Sequence, residues 1–167
     1  MIYEFCAENV TLLEKAMQAG ARRIELCDNL AVGGTTPSYG VTKAAVELAA
    51  NYDTTIMTMI RPRGGDFVYN DLEIAIMLED IRLTAQAGSQ GVVFGVLTAD
   101  KKLDKPNLEK LIAASKGMEI VFHMAFDELS DDDQLEAIDW LSQAGVTRIL
   151  TRAGVSGDSL EKRFAHY

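Results

Sequence analysis

The stretch RIELCDNLAVGGTTPSYGVTKAAVELAANYDTTIMTMI, residues 23–60, decides the fold class. Its two ends are short apolar runs that contain β-branched residues, which predicts strands over 23–27 and 54–60. Between them, residues 41–51 carry apolar side chains at helical spacing, which predicts a helix. A strand, a helix and a second strand in this order form a βαβ unit, and the connection through a helix makes the two strands parallel.

The same alternation continues on both sides of this unit. The tripeptide Gln-Ala-Gly recurs at 18–20, 86–88 and 143–145, each time at the end of a predicted helix and shortly before a predicted strand. Glycine suits that position because the residue after a helix often needs a positive φ angle. The further predicted strands cover 2–7, 91–97, 119–126 and 146–151, and the further predicted helices cover 9–18, 71–87, 107–115 and 130–143.

Six βα units predict an α/β fold, either a TIM-type (β/α) barrel or an open doubly wound sheet. No Gly-x-Gly-x-x-Gly motif follows the first strand and no P-loop is present, which argues against the nucleotide-binding forms of the open sheet. A closed barrel of this type has eight strands, so we expect residues 1–167 to form a single barrel domain, truncated at its C-terminal end, with the last two units missing. We expect residues 159–165 to begin a sixth helix. Apolar residues such as Ile149 should be exposed at the open edge unless a second copy in a homo-oligomer covers them.

Composition excludes several classes of function. The chain has 167 residues, of which 48% are hydrophobic, so it can bury the core of one domain. Its 16 basic and 25 acidic residues give a net charge of −9, which argues against partners such as nucleic acid or an anionic membrane. No apolar run approaches the roughly 20 residues of a membrane span, and residues 1–10 do not resemble a secretory signal. Two cysteines make no disulfide scaffold, so we expect a reducing, cytoplasmic location.

A repeated Glu-x-Cys pattern is the first candidate site. It occurs at Glu4–Cys6 in the first strand and at Glu25–Cys27 in the second. Side chains two residues apart share one face of a strand, so we expect all four to point into the barrel and to converge if the two strands are adjacent. Two close thiols can bind a soft metal such as Cu(I). The alternative is that both cysteines are small buried apolar residues.

Polar side chains near the ends of the third and fifth strands form a second candidate site. Arg61 either forms an ion pair, with Glu25 for example, or holds an anionic ligand in its planar fork. His123 and Asp127 share parity on the predicted fifth strand, so we expect them to face the same way. In an enzyme, Glu25 or His123 would be the general base and Arg61 would hold the substrate. The alternatives are a hydrogen-bonded core histidine and a helix-capping aspartate.

Six motifs spread over the chain carry a family resemblance: RIELC (23–27), GGTTPS (33–38), IRPRGGDF (60–67), GVLT (95–98), FHMAFD (122–127) and RILT (148–151). With these motifs the sequence resembles the CutC copper homeostasis family. The resemblance implies a TIM-type barrel, a cytoplasmic location, a role in copper tolerance, and Cu(I) binding at Cys6 and Cys27. Two departures stand out: Met124 replaces an arginine usual in the family, and the family continues to a seventh and an eighth strand.

Three hypotheses about function remain open at this stage. The first is a copper homeostasis protein that binds Cu(I) through Cys6 and Cys27. The second is a TIM-barrel enzyme of unknown reaction that acts on a small anionic substrate, with an indirect role in copper homeostasis and with Glu25, Arg61, His123 and Asp127 as candidate catalytic residues. The third is a protein without catalytic activity that serves as an interaction partner or scaffold.

Overall fold

The sheet consists of parallel strands that follow one another in chain order. The structure is a computed structural model, and it describes residues 1–152. Each strand pairs with the next one along the chain, and no pairing between the last and the first strand occurs within these residues. The strands are β1 (Glu4–Glu8), β2 (Arg23–Cys27), β3 (Thr55–Met59), β4 (Gly91–Phe94), β5 (Glu119–Phe122) and β6 (Arg148–Ile149).

Helices connect the strands as the alternation predicts. β2 and the helix after β3 have the predicted bounds, whereas the other elements differ by a few residues at one or both ends. The sequential strand order also excludes a doubly wound sheet, whose strand order reverses at a switch point. The helices are α1 (Leu13–Gln18), α2 (Tyr39–Ala49), α3 (Asp71–Ala87), α4 (Lys105–Ala114) and α5 (Asp131–Gln143).

Short polar residues at the helix starts explain most of these bounds. Ser38 accepts a hydrogen bond from a first-turn amide of α2, and Asn70 forms a capping box with Glu73 in α3. Helix α1 starts later than the predicted residue 9. That helix begins after Leu12, which has a positive φ angle and makes no side-chain cap, so α1 is short.

The two faces of the sheet are packed differently. Alternate residues such as Ile24, Ile56 and Phe94 point outward and pack against the helices in two large apolar clusters. The residues between them point inward, where Cys27 and Met59 belong to a smaller cluster. This alternation follows from the two-residue period of a strand, and it leaves the inner face available for polar side chains.

The two edges of the sheet differ in exposure. Four of the five residues of β1 are exposed, and Phe5 and Leu12 are among the exposed large apolar side chains. Ile149 on β6, predicted to be exposed, is instead partly buried because it packs against the outward-facing apolar cluster that contains Phe94. The predicted helix at 159–165 lies outside the described residues. None of the helices in the described part of the chain has both the length and the apolarity to cross a membrane.

Candidate functional site

Three of the predicted site residues meet on the inner face of β1 and β2. Cys6 lies opposite Glu25 in the register of the two strands, and Cys27 follows two residues later on the same face. The two sulfur atoms are 3.9 Å apart, and the Oε1 atom of Glu25 lies 3.7 Å from the Cys6 sulfur and 3.9 Å from that of Cys27. All three ligand atoms lie within 4.8 Å of one another. We call Cys6, Glu25 and Cys27 the thiol cluster.

Burial favours the protonated form of Glu25, and hydrogen bonding together with burial favours that of Cys27. Glu25 is only 5% exposed, and burial, followed by the nearby charge of Glu4, raises its pKa to about 7. The hydrogen bond with Cys6 and burial raise the pKa of Cys27 far above its usual range. The Oε2 atom of Glu25 is buried and has no hydrogen-bond partner within residues 1–152. A cation that binds here must therefore compete with protons. Two sulfur atoms and one carboxylate oxygen are the ligand atoms that it can contact.

A glycine allows the loop after β2 to approach the thiol cluster. Gly34 has a φ angle of 90°, and a Cβ atom placed on it would lie 3.0 Å from the Cys27 sulfur. This φ angle favours glycine and the close contact excludes a larger side chain. The loop therefore covers Cys27, which is buried, whereas Cys6 on the edge strand is exposed.

Glu4 was predicted to join the thiol cluster, and it has a different partner. Its carboxylate forms an ion pair with Arg23, with a nitrogen–oxygen distance of 3.2 Å. Arg148 and Glu119 form a second such pair at 2.5 Å near the same end of the sheet. These pairs balance charge at the amino ends of the strands, so Glu4 acts on the cluster only through its charge. The predicted site residues did not include Arg23, Glu119 and Arg148, although each has inward parity.

Arg61 is buried without the ion pair that we considered for it. Its guanidinium donates hydrogen bonds to the carbonyl oxygens of Val32 and Gly34, both at 2.9 Å, and to that of Gly65 at 2.8 Å. Within residues 1–152, no carboxylate lies within 4.0 Å of it, so the suggested pair with Glu25 is wrong. The side chain connects the loops after β2 and β3, and its Nε atom is buried without a hydrogen-bond partner in the described part of the chain.

His123 is a buried, neutral side chain at the end of β5. It is 2% exposed, and its Nδ1 atom accepts a hydrogen bond from the Ala125 amide at 3.2 Å. Burial, and then the charge of Arg61, lowers the pKa of His123 to about 3. Gly95 makes room for the ring, because a Cβ atom there would lie 2.7 Å from it. The neutral imidazole carries its proton on Nε2, which is buried and has no hydrogen-bond partner among the residues that the structure describes.

Asp127 lies beyond the end of β5, where strand parity no longer relates its direction to that of His123. β5 ends at Phe122, and Asp127 lies in a short 3₁₀ turn over Met124–Glu128. Its carboxylate accepts hydrogen bonds from the Thr151 hydroxyl and from the Arg152 amide, the latter at 2.9 Å. The two-residue period holds only within a strand, so the shared parity of the two residue numbers does not predict where Asp127 points. Asp127 fixes the chain after β6.

The polar residues thus form two separate groups. The thiol cluster offers soft ligands beside an open edge of the sheet. The second group surrounds Phe67, whose ring centre lies 4.9 Å from the Arg61 guanidinium carbon and 4.8 Å from the His123 ring centre. Tyr69, which was not among the predicted site residues, is also buried here, and its hydroxyl has no hydrogen-bond partner up to residue 152. Its proximity to the motif at 60–67 was the only signal for it.

Comparison with known proteins identifies relatives along the whole described chain. The family model for the CutC family matches residues 1–163. A CutC family protein from Enterococcus faecalis is 53% identical over 166 residues, which cover 99% of this chain and 79% of that protein. A crystal structure from Streptococcus agalactiae, described provisionally as the copper homeostasis protein CutC, is 46% identical with a TM-score of 0.95. The match covers 99% of this chain and 79% of that one.

More distant structures support the fold alone. An archaeal fructose 1,6-bisphosphate aldolase is 14% identical with a TM-score of 0.60, and the match covers 83% of this chain and 52% of that one. The prediction of a TIM-type α/β fold, incomplete in the described residues, is therefore confirmed. The similarity in sequence and structure to CutC proteins is much closer and extends over nearly all of the chain. The chain therefore belongs to the CutC family.

Proposed function

We propose that this protein takes part in copper homeostasis by binding Cu(I) through Cys6 and Cys27. Family membership supports the role in copper homeostasis. The observation that carries the binding proposal is the distance of 3.9 Å between two sulfur atoms that form no disulfide. A metal–thiolate bond is about 2.3 Å long, so one ion can contact both sulfur atoms with little movement of either strand.

The donor set of the thiol cluster fits a soft, singly charged ion. Thiolates select Cu(I) over hard cations such as Mg²⁺ or Ca²⁺. Met57 and Met59 lie in the same inner cluster as Cys27 and add apolar, polarisable groups to its surroundings. The unpaired Oε2 atom of Glu25 offers a weaker third contact or accepts a proton that a thiol releases.

Access to the thiol cluster is from the side of β1. Cys6 is exposed and Cys27 is buried, so an incoming ion meets Cys6 first and then reaches Cys27. Because bound metal requires thiolates, binding releases protons and should strengthen as the pH rises. We also propose a cytoplasmic location, since a reducing compartment keeps both thiols free.

A competition titration tests the proposal. We expect the reduced protein to take Cu(I) from a chromogenic chelator, and the double variant Cys6→Ser, Cys27→Ser to lose at least tenfold in affinity. Glu47→Gln is the control, because Glu47 is an exposed carboxylate on α2 that takes no part in the thiol cluster. The affinity of the control should stay within about twofold of the wild-type value. Equal affinities of the double variant and the wild type would disprove direct binding at these thiols.

The second candidate function is an enzyme that acts on a small anionic substrate. The specific observation in its favour is that Arg61 and His123 are buried close together with unpaired donor atoms. Buried polar groups of this kind concentrate in functional sites. The candidate roles of Glu25 and Asp127 have less support, since Glu25 contacts the thiols and Asp127 binds backbone and hydroxyl groups beyond β6.

A further inference from the structure

The surroundings of Phe67 contain positive charge and hydrogen-bond donors without matching acceptors. Arg61 is 4% exposed and carries a full positive charge. Its three hydrogen bonds go to backbone carbonyl oxygens, which are dipoles rather than charges. A buried charge normally has an oppositely charged partner, because the loss of hydration is otherwise uncompensated. No described residue supplies that partner.

The unpaired atoms in this region are all able to donate. The Nε atom of Arg61 carries a hydrogen, and so does the Nε2 atom of His123, because the Nδ1 atom of that ring accepts from the Ala125 amide. The third unpaired atom is the hydroxyl oxygen of Tyr69, which is 7% exposed. Arg61 is close enough to this hydroxyl for its charge to lower the pKa of Tyr69, against the larger, raising effect of burial.

We propose that the ends of β3 and β5 form a binding site for a small oxyanion, a phosphate or a carboxylate group, held by Arg61 with Tyr69 and His123. An oxyanion supplies the missing negative charge and several acceptor oxygens at once. Guanidinium groups bind phosphate and carboxylate oxygens with short, charge-assisted hydrogen bonds. The site lies at the carboxyl ends of the strands, where TIM-type barrels bind their ligands.

Phe67 packs against two members of this oxyanion site. Its ring is half-buried and contacts both the Arg61 guanidinium and the His123 ring. The site is distinct from the thiol cluster, since neither Cys6 nor Cys27 has a hydrogen bond to these residues. The two groups share one loop, because the Gly34 carbonyl binds Arg61 while its Cα approaches Cys27. This proposal does not depend on copper binding.

Calorimetric titration of the whole chain with inorganic phosphate, and separately with acetate, tests the oxyanion site. Chloride at matched ionic strength is the control for general salt effects. Saturable binding of phosphate indicates a phosphorylated ligand, and saturable binding of acetate indicates an organic acid. Either result supports the proposal, whereas heats equal to those of chloride for both probes overturn it.

Two tyrosine variants distinguish anion binding at this site from nonspecific anion binding. We expect Tyr69→Phe, which removes only an unpaired hydroxyl, to weaken anion binding at least fivefold and to leave folding intact. Tyr52→Phe is the matched control, because the Tyr52 hydroxyl bonds with Glu14 on the outer side of the protein. Arg61→Lys should abolish binding, and Tyr69→Phe keeps the test valid if that variant fails to fold. Unchanged affinity in Tyr69→Phe overturns the assignment of Tyr69 and of the site.

Discussion

The thiol cluster and the surroundings of Arg61 both place buried polar groups on the inner face of the sheet, but they hold them differently. The thiol cluster lies on the edge strand β1 and its neighbour, and its contacts are weak hydrogen bonds of sulfur. Arg61 follows a central strand and is held by three short hydrogen bonds to two loops. A site at an edge is accessible and adaptable, whereas a site between central strands is rigid and contributes to the fold.

The largest expected effect is a loss of stability, and it distinguishes these two kinds of site. Arg61→Met removes the donor of three buried carbonyl groups, and we expect a loss of about 3–4 kcal/mol in the free energy of unfolding. Cys6→Ala, at an exposed thiol without strong hydrogen bonds, should cost much less. Urea denaturation at pH 7.5 measures both values. Similar losses for the two variants would show that the edge site is as important for the fold as the central one.

The next largest effect is the dependence of stability on pH that Glu25 causes. The direction of the pKa shift of Glu25 determines its sign. Burial raises the pKa from 4.5 to about 7, so the folded state holds the proton more tightly than the unfolded state. Its stabilising effect is complete below about pH 4.5 and is lost as the pH rises to 7 and above. The shift corresponds to about 3 kcal/mol.

The variant Glu25→Gln tests this sign. Between pH 4.5 and pH 8, we expect the free energy of unfolding of this variant to rise by about 3 kcal/mol relative to that of the wild type. Glu47→Gln, an exposed carboxylate on α2, is the control and should not change the pH dependence in this range. A stability difference between Glu25→Gln and the wild type that is independent of pH would contradict the raised pKa.

His123 should give the opposite pH dependence. Its pKa is lowered from 6.5 to about 3, so the unfolded state binds the proton more tightly between these values. Stability is therefore lost as the pH falls below about 6.5, and we expect a loss of about 2 kcal/mol from this residue between pH 7.5 and 5.

The variant His123→Asn isolates this contribution. Asparagine keeps an acceptor for the Ala125 amide and cannot be protonated in this range. We expect its loss of stability between pH 7.5 and 5 to be smaller than that of the wild type by about 2 kcal/mol. Thermal unfolding at the two pH values provides the measurement, and parallel pH profiles for both proteins would exclude a neutral, buried His123.

The smallest expected effect tests the loop that the two sites share. Gly34→Ala and Gly20→Ala both place alanine at a positive φ angle, but only at Gly34 does the new Cβ atom meet the Cys27 sulfur, at 3.0 Å. We expect the Gly34 variant to lose about 1 kcal/mol more than the Gly20 variant. It should also bind Cu(I) more weakly. Equal stability of the two variants would show that the loop can move away from Cys27.

Local periodicity explains which predictions from the sequence succeeded. The bounds of β2 and α3 agree with the prediction because each has a regular apolar pattern, and α3 has clear start and stop signals. The Glu-x-Cys pattern located Cys6, Glu25 and Cys27 on one face because a strand has a strict two-residue period. The predicted extent of the fifth strand was wrong, because the strand ends at Phe122, four residues earlier than predicted, so the parity argument for Asp127 does not apply.

The sequence by itself determined the order of strands and helices, the inner and outer faces of the sheet, and the pairing of two thiols on neighbouring strands, since all of these depend on local periods. Only the tertiary structure decided the partners of Glu4 and Arg61. Those partners are a side chain on the next strand and carbonyl oxygens in two loops. Backbone carbonyl groups occur at every residue, so which of them a guanidinium reaches depends on how distant loops pack, and no pattern in the sequence encodes it.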